Sequence, residues 1–319
     1  MKVNSRSKRL KESYSSKSFS QLISENKVLL LMLLPAVIFT IVFSYLPMGG
    51  LVLAFKNFRY ADGIFGSPWV GMTNFKFLIL SGKLWPITRN TLLYNFAFIV
   101  IGMVLQIAFA IILSEVSGKR FKKFAQSSMF LPHFISWVVV AAIAYNIFNY
   151  EKGVLNNLLV SLGRERINIY NNPKPWPYIL IFLKTWKGLG YGSVVYLAVI
   201  TGLDQEMYEA ADIDGANVWQ KIFRITVPSL IPTIMIMLLL ALGQIFRGDF
   251  GLFYQLVKAN PILLPTTDII DTYVFRALMS TSDIGMAAAA GFYQSVVCFI
   301  TIVVFNYMIK KIQPDYALY

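Results

Sequence analysis

The hydrophobic positions of this chain are grouped into long runs, unlike the short periodic patterns of soluble proteins. These runs reach or approach the roughly 20 residues that a helix needs to cross a hydrocarbon core about 30 Å thick. There are six: Val28 to Leu53, Leu92 to Leu113, Phe124 to Ile147, Tyr178 to Leu203, Leu230 to Phe246 and Ile284 to Ile309. The pattern therefore predicts an all-α integral membrane protein with six transmembrane helices.

The composition agrees with a membrane location. Hydrophobic residues make up 56% of the chain and charged residues 14%, far to the apolar side of ordinary globular proteins. A basic tail, residues 1–27, precedes a membrane domain, residues 28–319. The first apolar run is too long for a signal peptide and lacks a small-residue cleavage pattern, so we predict an uncleaved first span.

The distribution of Lys and Arg predicts the orientation, because positive residues near span ends stay in the cytoplasm. They are dense in the tail, in the short segment before the third run (Lys119, Arg120, Lys122 and Lys123), and after the sixth run (Lys310 and Lys311). Both termini are therefore expected in the cytoplasm. Lys56, Arg59, Lys76, Lys83 and Arg89 would then lie outside, against this rule. By this orientation, the long segments Tyr150 to Pro177 and Gly248 to Asp283 also lie outside.

Several function classes can be set aside from the residue inventory. The net charge of +13 could suggest nucleic acid, but the cations do not form one aromatic-laced patch. Cys298 and His133 are each the single residue of their type, which excludes a disulfide framework or a His-rich metal cluster within the chain. No Gly-x-x-x-x-Gly-Lys-Ser/Thr occurs, so we expect a non-enzymatic chain that binds no nucleotide cofactor itself.

A polar segment between the fourth and fifth runs predicts two short helices joined by a turn. Good helix formers precede the turn signal Asp214-Gly215, where a first helix should end. Asn217 can cap a second helix, with Gln220 in the capping-box position, and Pro228 ends this element or opens the fifth span. The segment is either a helix-turn-helix elbow for a partner to grip at the membrane surface or an amphipathic connector that packs on its own helices.

This elbow resembles the EAA loop of ABC importer permeases. The matching residues are Glu209, Ala210, Ala211, Gly215, Ile225, Val227 and Pro228, with Val227 where the family usually has Leu. Further short stretches are similar to the carbohydrate class, particularly its polysaccharide-type permeases: Trp69-Val70-Gly71, Asn74-Phe75, Asn90-Thr91, Phe130-Leu131-Pro132, Gly153-Val154-Leu155-Asn156 and Asp214-Gly215-Ala216. The resemblance covers nearly the whole chain after the tail and implies the ABC type I importer permease fold.

The resemblance also implies an assembly in the cytoplasmic membrane. It implies a second, homologous permease, favoured as different in sequence, two cytoplasmic ATPase subunits that bind ATP and Mg, and an extracytoplasmic sugar-binding protein that delivers an oligosaccharide. Within the coupling loop, about 205–228, the implied ATPase contacts are Glu209, Ala210, Ala211, Asp214, Gly215 and Ala216. The implied arm that transmits motion carries Trp219, Phe223, Ile225 and Pro228.

Polar and aromatic side chains inside the apolar runs are candidates for the solute path, because polar groups at membrane depth must face protein or water. The candidates are Lys184, Trp186, Lys187, Tyr191, Gln244, Tyr293 and Gln294. The two lysines could instead snorkel to the headgroups, and Arg247 and Asp249 could contact solute or pair with each other. His133 is expected to satisfy backbone carbonyls freed by Pro132.

Glycines and small residues interrupt two of the runs. Gly188, Gly190 and Gly192 are predicted to loosen the fourth run. In the sixth run, Gly285 and Ala289 favour close helix packing of the small-x-x-x-small kind, with pore lining as the alternative.

Two other functions compete with the importer. An ion-coupled secondary sugar transporter would show inverted repeats and buried acidic residues at the midplane, whereas Asp and Glu cluster outside the apolar runs here. If the chain were a non-transporting scaffold or receptor subunit, the elbow would have no assigned function. We predict a permease subunit of an ATP-binding-cassette importer.

Overall fold

The computed structural model describes residues 24–280 and 282–312. Helices dominate these residues, and the β pairing among them is one isolated bridge between Lys56 and Trp69. The all-α prediction is therefore confirmed for the described residues. The first 23 residues of the predicted basic tail lie outside them.

The helices follow one another along the chain with short connections. They are α1 (Lys27–Thr40), α2 (Gly63–Gly66), α3 (Thr73–Leu80), α4 (Leu84–Glu115), α5 (Lys119–Phe134), α6 (Trp137–Phe148), α7 (Val154–Ser161), α8 (Trp176–Thr201), α9 (Gln205–Ile213), α10 (Val218–Lys221), α11 (Val227–Leu242), α12 (Phe250–Val257), α13 (Leu264–Thr267), α14 (Ile270–Ser280) and α15 (Ile284–Ile312).

Four helical segments of the described chain are long and apolar enough to cross a membrane. They are Lys27–Phe55, Leu84–Glu115, Val218–Leu242 and Ile284–Lys311, which correspond to the first, second, fifth and sixth predicted spans. Helix α8, the fourth predicted span, has 26 residues but is less apolar because lysines and glycines interrupt it. Six spans thus remain a prediction.

The third predicted span is not one helix, which corrects the continuous run Phe124 to Ile147. Helices α5 and α6 meet at a 96° bend, and together they could provide a fifth, broken span or a re-entrant segment. Ile135 is extended after Pro132, and the Ser136 side chain accepts a hydrogen bond from the Val139 amide at 3.4 Å. A proline near a helix end followed by a serine cap explains why the chain changes direction here.

The described chain forms two units that divide after Val52. In the first, α1 continues through a π-helical turn, Ile41–Tyr45, into a 3-10 helix that begins at Leu46. No described residue of this unit is buried within it. A helix that is apolar on all sides is suited to lipid or to a protein partner, and not to water.

In the second unit, α8 is the central helix, and it packs along both α4 and α5. One buried apolar cluster surrounds Trp176 and Leu180 near the start of α8 and includes Phe253 of α12. A second surrounds Tyr196 near the end of α8 and includes Leu230 of α11. The two clusters fix both ends of α8 and leave its middle available to line a cavity.

Two of the three glycines of α8, Gly190 and Gly192, permit close packing, and none of the three interrupts the helix, contrary to the prediction. The helix is continuous through Gly188, Gly190 and Gly192. A methyl group at Gly190 would lie 2.2 Å from the carbonyl oxygen of Met129, so the backbones of α5 and α8 are in close contact here. Small residues serve helix association in membranes in this way.

The stretch Gly153-Val154-Leu155-Asn156 organises the segment before α8. The fully buried Asn156 amide donates to the carbonyl oxygens of Asn149, Tyr150 and Ile167 and accepts from the Ile167 amide at 2.8 Å. Its side chain thereby satisfies backbone groups that no helix pairs.

Candidate coupling elbow and polar cavity

The predicted turn of the elbow is confirmed. Helix α9 ends before Asp214, and Gly215 has a φ of 75°, in the left-handed region that glycine adopts without strain. The Ala216 amide then donates to the Ala211 carbonyl at 2.9 Å, which closes the end of the helix.

The predicted second helix is also confirmed. The Asn217 side chain accepts from the Gln220 amide at 2.9 Å, and the Gln220 side chain accepts from the Asn217 amide at 2.8 Å. This reciprocal capping box starts α10, which continues through a π-helical turn, Ile222–Thr226, directly into α11. Pro228 lies in the first turn of α11, so it opens this helix.

Two side-chain contacts tie the legs of the elbow together. The Tyr208 hydroxyl lies 2.8 Å from that of Thr226, which is buried. Lys221 Nζ donates to Asp212 Oδ1 at 2.7 Å, although this pair is exposed and adds little stability by itself. These contacts connect α9 to the segment that leads into α11, so the two helical arms of the elbow are held at a fixed angle.

The outer face of the elbow exposes large apolar side chains. Ile213 is 87% exposed at the tip, and Trp219 and Phe223 are 69% and 64% exposed with stacked rings. Of the other predicted coupling residues, those exposed are Glu209, Ala210, Asp214, Gly215 and Pro228, and those half-buried are Ala211, Ala216 and Ile225. Large apolar side chains exposed among polar groups are typical of an interaction site.

The inner face of the elbow is continuous with the core. Ile222 and Val227 pack against the apolar cluster that contains Tyr196 of α8 and Leu113 of α4. Close-packed interiors move as units, so a displacement of the elbow displaces the ends of α4 and α8 with it.

A cavity of about 840 Å³ lies between the middle of α4, the middle of α8 and the connection from α11 to α12. Its polar and aromatic lining is Asn95, Phe98, Gln106, Lys184, Tyr191, Tyr196, Gln244, Arg247, Asp249 and Phe250. Three of the predicted path residues, Lys184, Tyr191 and Gln244, therefore come together here.

The other predicted path residues lie elsewhere. Trp186 lines a separate apolar groove between α6 and α8. Lys187 donates to the His133 carbonyl at 2.6 Å and lies over the Trp137 ring. Tyr293 and Gln294 lie on α15 outside this lining, where Gln294 contacts the α11–α12 connection. Their contact with solute stays a prediction.

Asp249 pairs with Lys184, so the alternative in which Arg247 and Asp249 pair with each other is wrong. Lys184 Nζ lies 2.6 Å from Asp249 Oδ2, and the Trp137 indole donates to the same oxygen at 3.2 Å. The other oxygen accepts from the Leu252 amide at 3.1 Å and caps α12. Lys184 and Lys187 therefore bind protein groups and do not snorkel to headgroups.

His133 has a different structural role from the one expected. Its ring stacks on Tyr191 at 4.3 Å between centroids, and its own carbonyl accepts the bond from Lys187. This stack places the Tyr191 ring on the wall of the cavity.

The connection from Gly243 to Asp249 is not helical, and neighbouring elements hold it in place. The Gln294 side chain donates to the Phe246 carbonyl at 2.8 Å, and the Gly248 amide donates to Asp271 Oδ2 at 2.7 Å. Burial raises the pKa of the Asp271 carboxyl. The hydrogen bonds that this carboxyl accepts from the Gly248 amide and from the Gln294 side chain oppose the shift. This irregular backbone lies at the end of the predicted fifth span and lines the cavity.

Sequence reasoning missed the residues that fix this connection. A Cβ atom at Gly248 would lie 2.3 Å from Ile269 Cδ1 and 2.9 Å from Asp271 Oδ2, so a larger residue would have to displace these side chains. Asp249 ahead of Phe250 had the residue type of a helix cap, which was a usable signal. Asp271 is far along the chain and gave none.

A family model described as "Binding-protein-dependent transport system inner membrane component" matches residues 106–314, more than half of the 319-residue chain. Curated relatives are similar over almost their whole length. The polygalacturonan/rhamnogalacturonan transport system permease protein YteP of Bacillus subtilis is 33% identical over 90% of this chain and 89% of the relative. Protein LplB of the same organism is 31% identical over 93% of each chain.

Solved structures share the fold. A chain of a bacterial alginate ABC transporter, in complex with an alginate pentasaccharide-bound periplasmic protein, matches with a TM-score of 0.83 and 33% identity. The match covers 93% of this chain and 98% of the other. A second structure, of a bacterial ABC transporter involved in the import of the acidic polysaccharide alginate, matches with a TM-score of 0.84.

Proposed function

Because the chain belongs to the binding-protein-dependent transport system inner membrane components, we propose that it is a permease subunit of an ATP-driven oligosaccharide importer. In this role, the elbow docks on a separate ATPase, and α8 carries the motion to the cavity. The observation that carries the proposal is the elbow: an exposed apolar tip on a braced turn that is continuous with the core.

The coupling follows from the packing. ATP binding and hydrolysis change the shape of the docked ATPase, and Ile213, Trp219 and Phe223 supply the apolar area that it holds. The Tyr208–Thr226 and Lys221–Asp212 contacts keep α9 and α11 at one angle, so a displacement of the elbow by the ATPase reaches the apolar cluster at the end of α8. Helix α8 then moves relative to the cavity wall, a rigid-body change between two states biased by nucleotide.

The cavity suits a sugar as solute. Phe98 and Tyr191 offer aromatic faces for pyranose C–H groups, while Asn95 and Gln106 offer amides for hydroxyls. Concave sites with a few convergent polar groups are typical of small-molecule binding. Similarity to permeases named for polygalacturonan/rhamnogalacturonan and arabinooligosaccharide transport supports an oligosaccharide.

The proposed assembly contains four further chains. A second, homologous permease completes the membrane path, two ATPase subunits hold ATP and Mg, and an extracytoplasmic binding protein delivers the solute. This chain spans the cytoplasmic membrane six times with both termini inside, and it contributes no catalytic residue. The rival, an ion-coupled transporter, gains no support from the cavity because Asp249, the acidic residue of its lining, is neutralised by Lys184.

Charge reversal at Glu209 tests the docking. Glu209 is exposed on α9, and Lys preserves helix propensity, so Glu209→Lys is expected to abolish uptake without preventing insertion. The ATPase subunits should co-purify with the wild-type chain and not with this variant. Uptake of labelled oligosaccharide in cells that carry the whole importer, together with a pull-down from membranes, measures both effects.

Glu165→Lys is the matched control. Glu165 is also exposed, but it lies in the segment between α7 and α8 that is predicted to be outside. The control should retain uptake and the ATPase. Wild-type uptake by Glu209→Lys, or transport that persists without any ATPase and collapses with an ion gradient, would refute the proposed function.

A further inference from the structure

Among the residues that the structure describes, one cation of the cavity lining, Arg247, has no carboxylate at ion-pair distance. Asp249 is saturated by Lys184, by the Trp137 indole and by the Leu252 amide, so the Lys184–Asp249 pair contributes no net charge to the lining. Arg247 also lines the cavity and is exposed there. No carboxylate of the described residues lies within ion-pair distance of its guanidinium. Asp271 lies outside this lining and interacts electrostatically with Arg247 without forming an ion pair with it, so within the lining itself the net positive charge resides on Arg247.

The backbone around Arg247 is fixed on both sides. The preceding carbonyl, of Phe246, accepts from Gln294, and the following amide, of Gly248, donates to Asp271. Asp271 Oδ2 also accepts a hydrogen bond from the Gln294 side chain at 3.0 Å, so the same oxygen binds both Gly248 and Gln294. Through these hydrogen bonds, the side chains of Gln294 and Asp271 fix the backbone on both sides of Arg247 and therefore the position of its Cα atom.

Arg247 directly follows the predicted fifth span, and its side chain is exposed on the cavity lining. Ionisable groups at membrane depth face a water-filled cavity and usually mark a substrate path. A guanidinium presents donors in a planar fork that matches a carboxylate with two parallel hydrogen bonds. Neutral hydroxyls, by contrast, need only the amides and aromatic rings that the cavity already provides.

We propose that Arg247 binds a carboxylate of the solute and that the importer therefore prefers acidic oligosaccharides, whose rings are uronates, over neutral ones. This inference rests on the proposed function, since it assigns the solute class of the same cavity. It adds a specificity-determining residue, Arg247, and two positioning residues, Asp271 and Gln294, which act through the backbone on either side of it.

Equilibrium binding to the purified importer tests this preference. The complex of both permeases and the ATPases, without the binding protein, is titrated with trigalacturonate and with its fully methyl-esterified form, which has the same rings and linkages but no charge. Wild type is expected to bind the acid at least about tenfold more tightly than the ester, as for a bidentate charge-assisted contact. Arg247→Gln should remove this preference and leave ester binding unchanged, and Arg247→Lys should keep part of it.

Lys258→Gln is the matched control, because Lys258 is an exposed cation outside the cavity lining. It should bind both compounds as wild type does. Equal wild-type affinities for acid and ester would overturn the inference. So would an equal loss of both in Arg247→Gln, which would mean that Arg247 pairs with an acidic group of the second permease.

These results are separable from a failure of the proposed function. Arg247→Gln should still co-purify with the ATPases, and Glu209→Lys should still prefer the acid when binding is measured on the two permeases alone. If wild type recruits no ATPase but binds the acid preferentially, the coupling proposal fails and the assignment of Arg247 stands.

Discussion

Replacing Gly215 by proline is expected to abolish uptake while the chain still inserts into the membrane. Gly215 has a φ of 75°, whereas proline is restricted to a φ of about −65°. Proline also removes the amide that donates to the Asp212 carbonyl at 3.1 Å. The turn must then rearrange, at a cost of ~1–3 kcal/mol, and the elbow loses the angle that presents its tip. Uptake by cells and abundance of the chain in membranes measure the two effects.

Two matched variants separate loss of the turn from general damage. Gly215→Asn should retain uptake, because asparagine adopts the left-handed conformation more readily than other residues. Gly163→Pro imposes the same strain after α7, where Gly163 has a φ of 70° and its amide also donates to a helix carbonyl. That variant should transport. Equal loss in Gly163→Pro and Gly215→Pro would mean that strain anywhere, and not the elbow, stops transport.

Replacing Gly190 by alanine is expected to destabilise the permease strongly. The new methyl group would lie 2.2 Å from the Met129 carbonyl oxygen, and backbone cannot rotate away as a side chain can. Helices α5 and α8 must separate, and overpacking of this kind costs ~1–3 kcal/mol or more. The midpoint of thermal unfolding in detergent should fall by several degrees, with less protein in the membrane.

Gly188→Ala is the control on the same helix. The closest atom to a methyl group there is Gln106 Nε2 at 4.0 Å, so nothing has to move. Alanine also has the higher helix propensity, and the variant should be as stable as wild type or slightly more stable. Identical unfolding midpoints for the two variants would show that α5 and α8 do not pack through Gly190.

The elbow could be predicted from the sequence because its signals are local. Gly215 supplies the turn, and Asn217 and Gln220 form a capping box within four residues, so no distant contact decides their structure. The bend between α5 and α6 also had local signals, Pro132 and Ser136. Run length outweighed them, since the apolar pattern continues through the bend.

The cavity could not be predicted in the same way, because distant residues build it. Lys184 and Asp249 are 65 positions apart, and Trp137 reaches them from a third helix. The sequence marked Lys184 as unusual in an apolar run without giving its partner. Gly190 shows the same limit: its residue type suggested flexibility, whereas its neighbour Met129 makes it a contact point.

The central claim is that the elbow contacts a nucleotide-hydrolysing partner on the inner side of the membrane. Cys298 is the single cysteine, so Cys298→Ser gives a background into which one thiol can be placed. Ile213→Cys puts it at the exposed tip of the elbow, and Phe65→Cys, at a position 91% exposed, puts it in a segment predicted to be outside.

Thiol cross-linking in membranes that contain the whole importer is the most direct test. We expect Ile213→Cys to form an adduct with the ATPase and to resist an impermeant thiol reagent added outside, while Phe65→Cys is labelled from outside and does not cross-link to the ATPase. Labelling of Ile213→Cys from outside, or no adduct between it and any nucleotide-hydrolysing chain, would contradict the account.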